Sequence, residues 1–145
     1  MSQPLPLEGI RVVEFSHMVM GPSCGLVLAD LGAEVIKVEP AGKGDPTRHL
    51  TSTGAGFFAS FNRNKKSVTL DLASPEGIAT AKKLVATADV FIENFRPGAL
   101  EAKGLGYEAL SAANPRLVYC SLKGFLTGPY EKRTATGMST APSTP

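Results

Sequence analysis

IRVVEFSHMVMGPSCGLVLADLGAEVIKV, residues 10–38, sets two short apolar runs on either side of one helix-shaped stretch. Ile10–Phe15 is rich in β-branched residues and bounded by Gly9, the pattern of a buried strand. Gly21-Pro22-Ser23 then opens a segment to Leu31 in which Cys24, Leu26, Val27, Leu28 and Leu31 suit a helix. Pro22 fits a first helical residue and Gly32 a stop, and Ser23 reads as a capping hydroxyl. Val35–Val38 is a second strand. Strand, helix and strand at this spacing predict parallel pairing through a right-handed crossover.

The alternation continues outward. Pro40–Thr53 (PAGKGDPTRHLTST) turns polar and glycine-rich, the composition of a long surface loop. Ala55–Asn62 suits a short aromatic helix, and Ser67–Leu72 alternates like a half-buried strand. Ser74-Pro75-Glu76 combines a capping hydroxyl, a proline and a dipole-favoured acid. It starts a helix to about Thr87 that buries Ile78, Ala81, Leu84 and Val85. Asp89–Glu93 and Leu117–Leu122 are further strands, with short helices at Ala99–Lys103 and Tyr107–Ala113 between them. Five strand-like runs interleaved with helices predict an α/β fold: a Rossmann-like open, mostly parallel sheet with helices on both faces. Residues 1–133 are expected to form one domain. Thr134–Pro145 (TATGMSTAPSTP), almost all small residues, is expected to be a disordered tail.

Composition narrows the function classes. The chain has 145 residues, 43% hydrophobic and 19% charged, which suits one folded domain. A net charge of +2 does not suit a nucleic-acid binder. No apolar run approaches the roughly 20 residues of a membrane span, and MSQPLPLEG is unlike a signal peptide. Cys24 and Cys120 lack CxxC or Cys/His spacing and read as buried small hydrophobes, so a reducing, cytoplasmic setting is expected. His17 and His49 have no carboxylate at metal spacing, so no metal site is expected.

In open α/β sheets ligands bind outside the carboxyl ends of the strands. The loops there carry His17, Lys43, Asp45, Arg48, Asn94, Arg96 and Lys123. Each can be a solvated surface charge; together with glycine they can hold a phosphate-bearing ligand. Asn62–Ser67 (NRNKKS) is the densest basic run, either a solvated turn or a handle for a phosphate tail. Neither G-x-G-x-x-G nor G-x-x-x-x-G-K-[ST] is present, which disfavours nicotinamide enzymes and ATPases.

The wording of the chain adds to its spacing. Leu7–Pro40 (LEGIRVVEFSHMVMGPSCGLVLADLGAEVIKVEP) resembles the opening of the class III CoA-transferase, or CaiB/BaiF, family. The likeness continues in order through GDPTR (Gly44–Arg48), FNRNKKSVTLDL (Phe61–Leu72), SPEG (Ser74–Gly77) and DVFIENFRPGAL (Asp89–Leu100). It ends with NPRLVYCSLKGF (Asn114–Phe125) and GPYEKR (Gly128–Arg133). This resemblance implies transfer of coenzyme A between carboxylic acids, with CoA thioesters as substrates and no covalently bound cofactor. It implies an aspartate that attacks the acyl-CoA carbonyl to give a mixed anhydride and then an enzyme thioester. In full-length relatives it implies interlocked homodimers, with neither nucleic acid nor membrane as partner.

Position by position, the resemblance sets His17, Val19 and Met20 against the thioester end of CoA. It sets Leu70, Asp71, Leu72 and Ala73 beside the adenosine part, Asn94, Phe95 and Arg96 in a CoA-contacting loop, and Lys123 near the pantetheine path. Some relatives have arginine where Pro40 and Ala102 stand, and Lys103 is the neighbouring cation that can replace the second. None of Asp30, Asp45, Asp71 or Asp89 matches the nucleophile, which is expected beyond residue 145, so the chain is expected to be an inactive N-terminal fragment. GAGFFASFNRNKKS and SLKGF resemble the transferases more than the 2-methylacyl-CoA racemases of the same family. A non-catalytic CoA-binding module is the further alternative.

Overall fold

The computed structural model describes residues 3–125, 127–131 and 133. Five strands alternate with helices: β1 (Arg11–Phe15), α1 (Met20–Asp30), β2 (Glu34–Pro40), α2 (Phe57–Asn62), β3 (Lys66–Leu70), α3 (Pro75–Val85), β4 (Val90–Glu93), α4 (Tyr107–Ala113) and β5 (Val118–Ser121). They form one sheet in the order β3-β2-β1-β4-β5. Every pairing is parallel, so the expected mostly parallel sheet is parallel throughout its described strands. The strand order reverses at β1, where the chain passes from one half of the sheet to the other.

Alternation along the strands sends side chains to two cores. Val13, Phe15, Val38 and Phe91 meet Ala81 and Val85 of α3 and Leu110 of α4. Val12, Val35 and Ile92 meet Ala29 of α1 on the other face. Right-handed crossovers from β1 outward in both directions require helices on opposite faces, and two separate cores are the result. The ends of the sheet leave some apolar surface open: Val118 on β5 is 60% exposed and Val27 on α1 57%.

Local chemistry explains the helix ends. Ser74 Oγ accepts from Gly77 N at 3.0 Å, so α3 is capped where SPEG places it. α1 starts earlier than its sequence suggests, at Met20, and has no side-chain cap. Ser23 therefore lies inside α1 and is not its capping hydroxyl, while Pro22 sits in the first turn, where a missing N–H breaks no intrahelical bond. Gly21 and Gly25 face the end of β1: a Cβ at Gly21 would overlap Ser16, and one at Gly25 the Glu14 carboxylate. Ala99–Lys103, read as a helix, is a single 3-10 turn over Glu101–Lys103.

Pro40–Thr53 departs most from its sequence reading. β2 runs to Pro40, and 3-10 turns form at Pro46–His49 and Ser52–Gly54. Asp45 and Thr47 are each only 1% exposed. This stretch packs against the sheet because its polar groups pair with buried charges on β2. The expected tail, 134–145, lies outside the described residues. No described helix is long and apolar enough to cross a membrane.

Candidate functional site

The carboxyl ends of β1, β2 and β3 open onto a cleft on the α3 side, with a volume of about 550 Å³. Phe15, Val38, Leu70, Leu72 and Phe95 line it with apolar surface, and Glu39, Asp71 and Lys103 are its charged residues. A mostly apolar slot with charges of both signs suits a flat aromatic group carrying polar substituents. Asp71 and Lys103 are ordered from within. Asp71 Oδ1 accepts from Ala73 N at 2.9 Å, and Lys103 Nζ donates to Leu72 O at 2.9 Å.

Of the residues singled out by sequence, Leu70, Asp71, Leu72, Ala73, Phe95 and Lys103 line this cleft. His17, Val19, Met20, Asn94, Arg96 and Lys123 do not line it. His17 sits next to it, its ring 5.6 Å edge-on from the Phe95 ring. Asn94 ties the turn after β1 to the turn after β4: its Oδ1 accepts from His17 N at 3.0 Å and its Nδ2 donates to His17 O at 2.9 Å. Lys123 is a strut, donating to Glu93 Oε1 at 2.7 Å and Phe95 O at 2.9 Å. Arg96, Met20 and Ala102 are exposed. Among the described residues no cluster of histidine, cysteine, aspartate or glutamate could hold a metal ion.

Behind the other face of the same strand ends lies a group of charges that sequence reasoning missed. Glu14 accepts from Lys65 Nζ at 2.7 Å and from Ser16 Oγ at 2.6 Å, fully buried. Lys37, 1% exposed, contacts Asp45 Oδ2 at 2.9 Å and Glu14 Oε1 at 3.5 Å. Glu39 takes a bidentate grip from Arg48, 2.7 Å on each oxygen, and a bond from Ser67 Oγ at 2.6 Å. Burial alone would raise the Glu39 carboxyl, but hydrogen bonds from Arg48, Ser67 and the Asp45 backbone N–H outweigh it and hold it at about 2. Burial likewise opposes ionisation of Asp45, and bonds from Thr47 and Lys37 overcome it, so Asp45 titrates below the usual range.

Two sequence readings change here. Asp45 is a buried partner, not a solvated loop charge. The basic run at Asn62–Ser67 is solvated except at Lys65, whose side chain is buried against Glu14; Arg63, Asn64, Lys66 and Ser67 are exposed, with Arg63 and Asn64 bound to Asp30 at 2.5 and 2.8 Å. One signal was available. Glu14 and Lys37 stand in runs read as buried strands, and a charge there needs a partner. Cys24 behaves as its position suggested, with burial and the neighbouring Cys120 thiol pushing its thiol up.

Compared with known protein families, residues 7–144 match CoA-transferase family III. The chain belongs to CoA-transferase family III. It is similar to the succinyl-CoA–D-citramalate CoA-transferase of Chloroflexus aurantiacus, 50% identical over 139 residues, which are 92% of this chain and 35% of that protein. Human succinyl-CoA:glutarate CoA-transferase is 44% identical over 133 residues, 88% of this chain and 30% of that protein. Among solved structures, a CaiB/BaiF family protein from Brucella suis superposes with a TM-score of 0.84 at 47% identity, covering 91% of this chain and 37% of that one. This family III chain thus spans about a third of the length of the curated relatives it matches.

Proposed function

We propose that this chain forms the CoA-binding part of a CoA-transferase acting on acyl-CoA thioesters and carboxylic acids. The cleft carries the reading: a mostly apolar slot at the strand ends, lined by Leu72 and Phe95 and carrying Asp71 and Lys103, suits the adenosine end of CoA. His17, tied to Asn94 beside that slot, then stands where the chain of the cofactor leads toward its thioester. The transferase reading, in preference to the racemase one, draws support from relatives named as CoA-transferases for succinyl and glutaryl or citramalyl groups.

The chemistry follows the aspartyl route. A carboxylate attacks the thioester carbonyl and the CoA thiolate leaves. The thiolate then attacks the aspartyl carbonyl of the anhydride, giving an enzyme thioester and releasing the donor acid. The acceptor carboxylate takes the CoA by the same steps in reverse. The four aspartates of this chain are engaged otherwise: Asp30 with Arg63, Asp45 with Lys37, Asp71 with Ala73 N, and Asp89 with Arg11 N at 2.9 Å. The resemblance sets the nucleophilic aspartate at none of these four positions, so in this reading residues 1–145 bind CoA without turning it over. The reading includes a cytoplasmic setting and a second subunit, the latter supported by the apolar side chains α1 and β5 leave exposed. Calorimetric titration of the 145-residue chain with CoA tests it. Heat saturating in the millimolar range or below is expected; no heat at millimolar CoA would overturn it.

A further inference from the structure

The turn that leaves β1, residues 16–19, is held at four consecutive backbone groups. Ser16 O accepts from Lys37 Nζ at 2.7 Å. His17 N and O are both bound by Asn94, and Met18 N donates to Thr47 Oγ1 at 3.1 Å. Met18 has φ +64°, a left-handed conformation that a residue with a side chain rarely adopts. A turn of that shape persists only where its surroundings specify it.

None of the three holding side chains, Lys37, Asn94 and Thr47, lines the cleft. Lys37 projects from β2 to the α1 face, and Thr47 sits in the 3-10 turn that follows, 1% exposed. Asp45 links them, contacting Lys37 at 2.9 Å and accepting from Thr47 N at 2.8 Å, which fixes where the Thr47 hydroxyl stands. An all-apolar filling of this space would be no less stable in general, since desolvating charges consumes most of what their pairing returns. What the charges add is direction: a lysine ammonium and a threonine hydroxyl aimed at particular backbone atoms of one turn.

We propose that Thr47 and Lys37 are positioning residues that lock the turn at 16–19, and with it the His17 ring against Phe95, in the shape that receives an acyl-thioester. The inference rests on the functional reading above and adds to it residues that touch no part of the cleft. Holding the turn in advance spares the ordering cost when the acyl end binds. The nucleotide end, seated against Leu70–Ala73, gains nothing from the lock. Loss of the lock therefore discriminates between the two ends of one ligand, which a general loss of stability does not.

The test uses Thr47→Val, with Thr47→Ser as the conservative control, because Lys37→Met removes one partner of a buried ion pair and endangers folding. Amide hydrogen exchange followed by NMR on the ligand-free chain reads the lock itself. Met18 N–H is expected to exchange at least tenfold faster in Thr47→Val and at the wild-type rate in Thr47→Ser, with Val13 and Phe91 unchanged. Calorimetry with butyryl-CoA and with adenosine 3′,5′-bisphosphate reads its consequence. Thr47→Val is expected to weaken butyryl-CoA about tenfold and the bisphosphate less than twofold. Unchanged exchange at Met18, or equal weakening of both probes, would overturn the proposal. A wild-type chain that takes up neither probe while Met18 exchange responds would overturn the functional reading and the ligand role together, leaving only a structural lock.

Discussion

The two sides of the strand ends solve opposite problems with neighbouring residues. On the α3 side Phe15, Val38 and Leu70 line a mostly apolar hollow, with Asp71, Lys103 and part of Glu39 as its charged residues. On the α1 side Glu14, Lys37 and Glu39, which alternate with Phe15 and Val38 on β1 and β2, are buried and paired. A strand places successive side chains on opposite faces, so β1 and β2 line the cleft with one face and brace the turns with the other. Breaking the buried ion pairs on the braced face should cost stability first, and changes on the hollow face should act first on binding. Thr47, which holds the turn at 16–19, is the braced-side residue expected to act on binding.

Gly25→Ala presses hardest on this division. Its Cβ overlaps the Glu14 carboxylate and crowds Lys65, so α1 has to move or the pair has to part. A loss of about 3–5 kcal/mol is expected in urea denaturation. Lys65→Met, which leaves Glu14 short of its nearest cation, should cost about 3 kcal/mol by the same assay. Adding Glu14→Leu to that variant should recover most of the loss, because an apolar pair needs no partner. A double variant no better than the single one would mean that Glu14 has a role outside the pair.

Across the sheet the order of effects should reverse. Leu72→Ala trims a half-buried lining residue of the cleft, and about 1 kcal/mol of stability should go with it. CoA affinity measured by calorimetry should fall about tenfold in the same variant. The smallest effect is expected from acid. Glu39 is held at about 2 against an ordinary 4.5, so its contribution to stability is complete above pH 4.5. As pH falls from 4.5 toward 2 the carboxylate is protonated, the Arg48 clamp releases, and the melting temperature should drop. Asp45, also held low, should add to the drop, and Glu39→Gln should flatten the Glu39 part of the curve.

Much of the sheet was legible from local pattern. The IRVVEF and VIKV runs, the SPEG cap and the glycine stops all act through neighbours in sequence, and the strands lie within about two residues of where they read. Of the residues that the resemblance set around CoA, Leu70–Ala73, Phe95 and Lys103 line one cleft, and Lys123 braces Glu93 outside it. Least legible was the braced face. Glu14 and Lys65 are 51 positions apart, and no local rule pairs them. Asp45 stands in a glycine-rich stretch that reads as solvent-exposed, and it is buried because Lys37 on β2 needs a counter-charge. The charges inside apolar runs were the visible half of each pair; their partners became visible only in three dimensions.

The most direct measurement is an NMR titration of the 15N-labelled chain with CoA, read residue by residue. The account predicts that amide shifts concentrate at Leu70–Ala73, Phe95 and Lys103, with His17 following, and that Glu14, Lys37 and Lys65 stay in place. Shifts centred on the α1 side, or spread evenly over both faces, would contradict it.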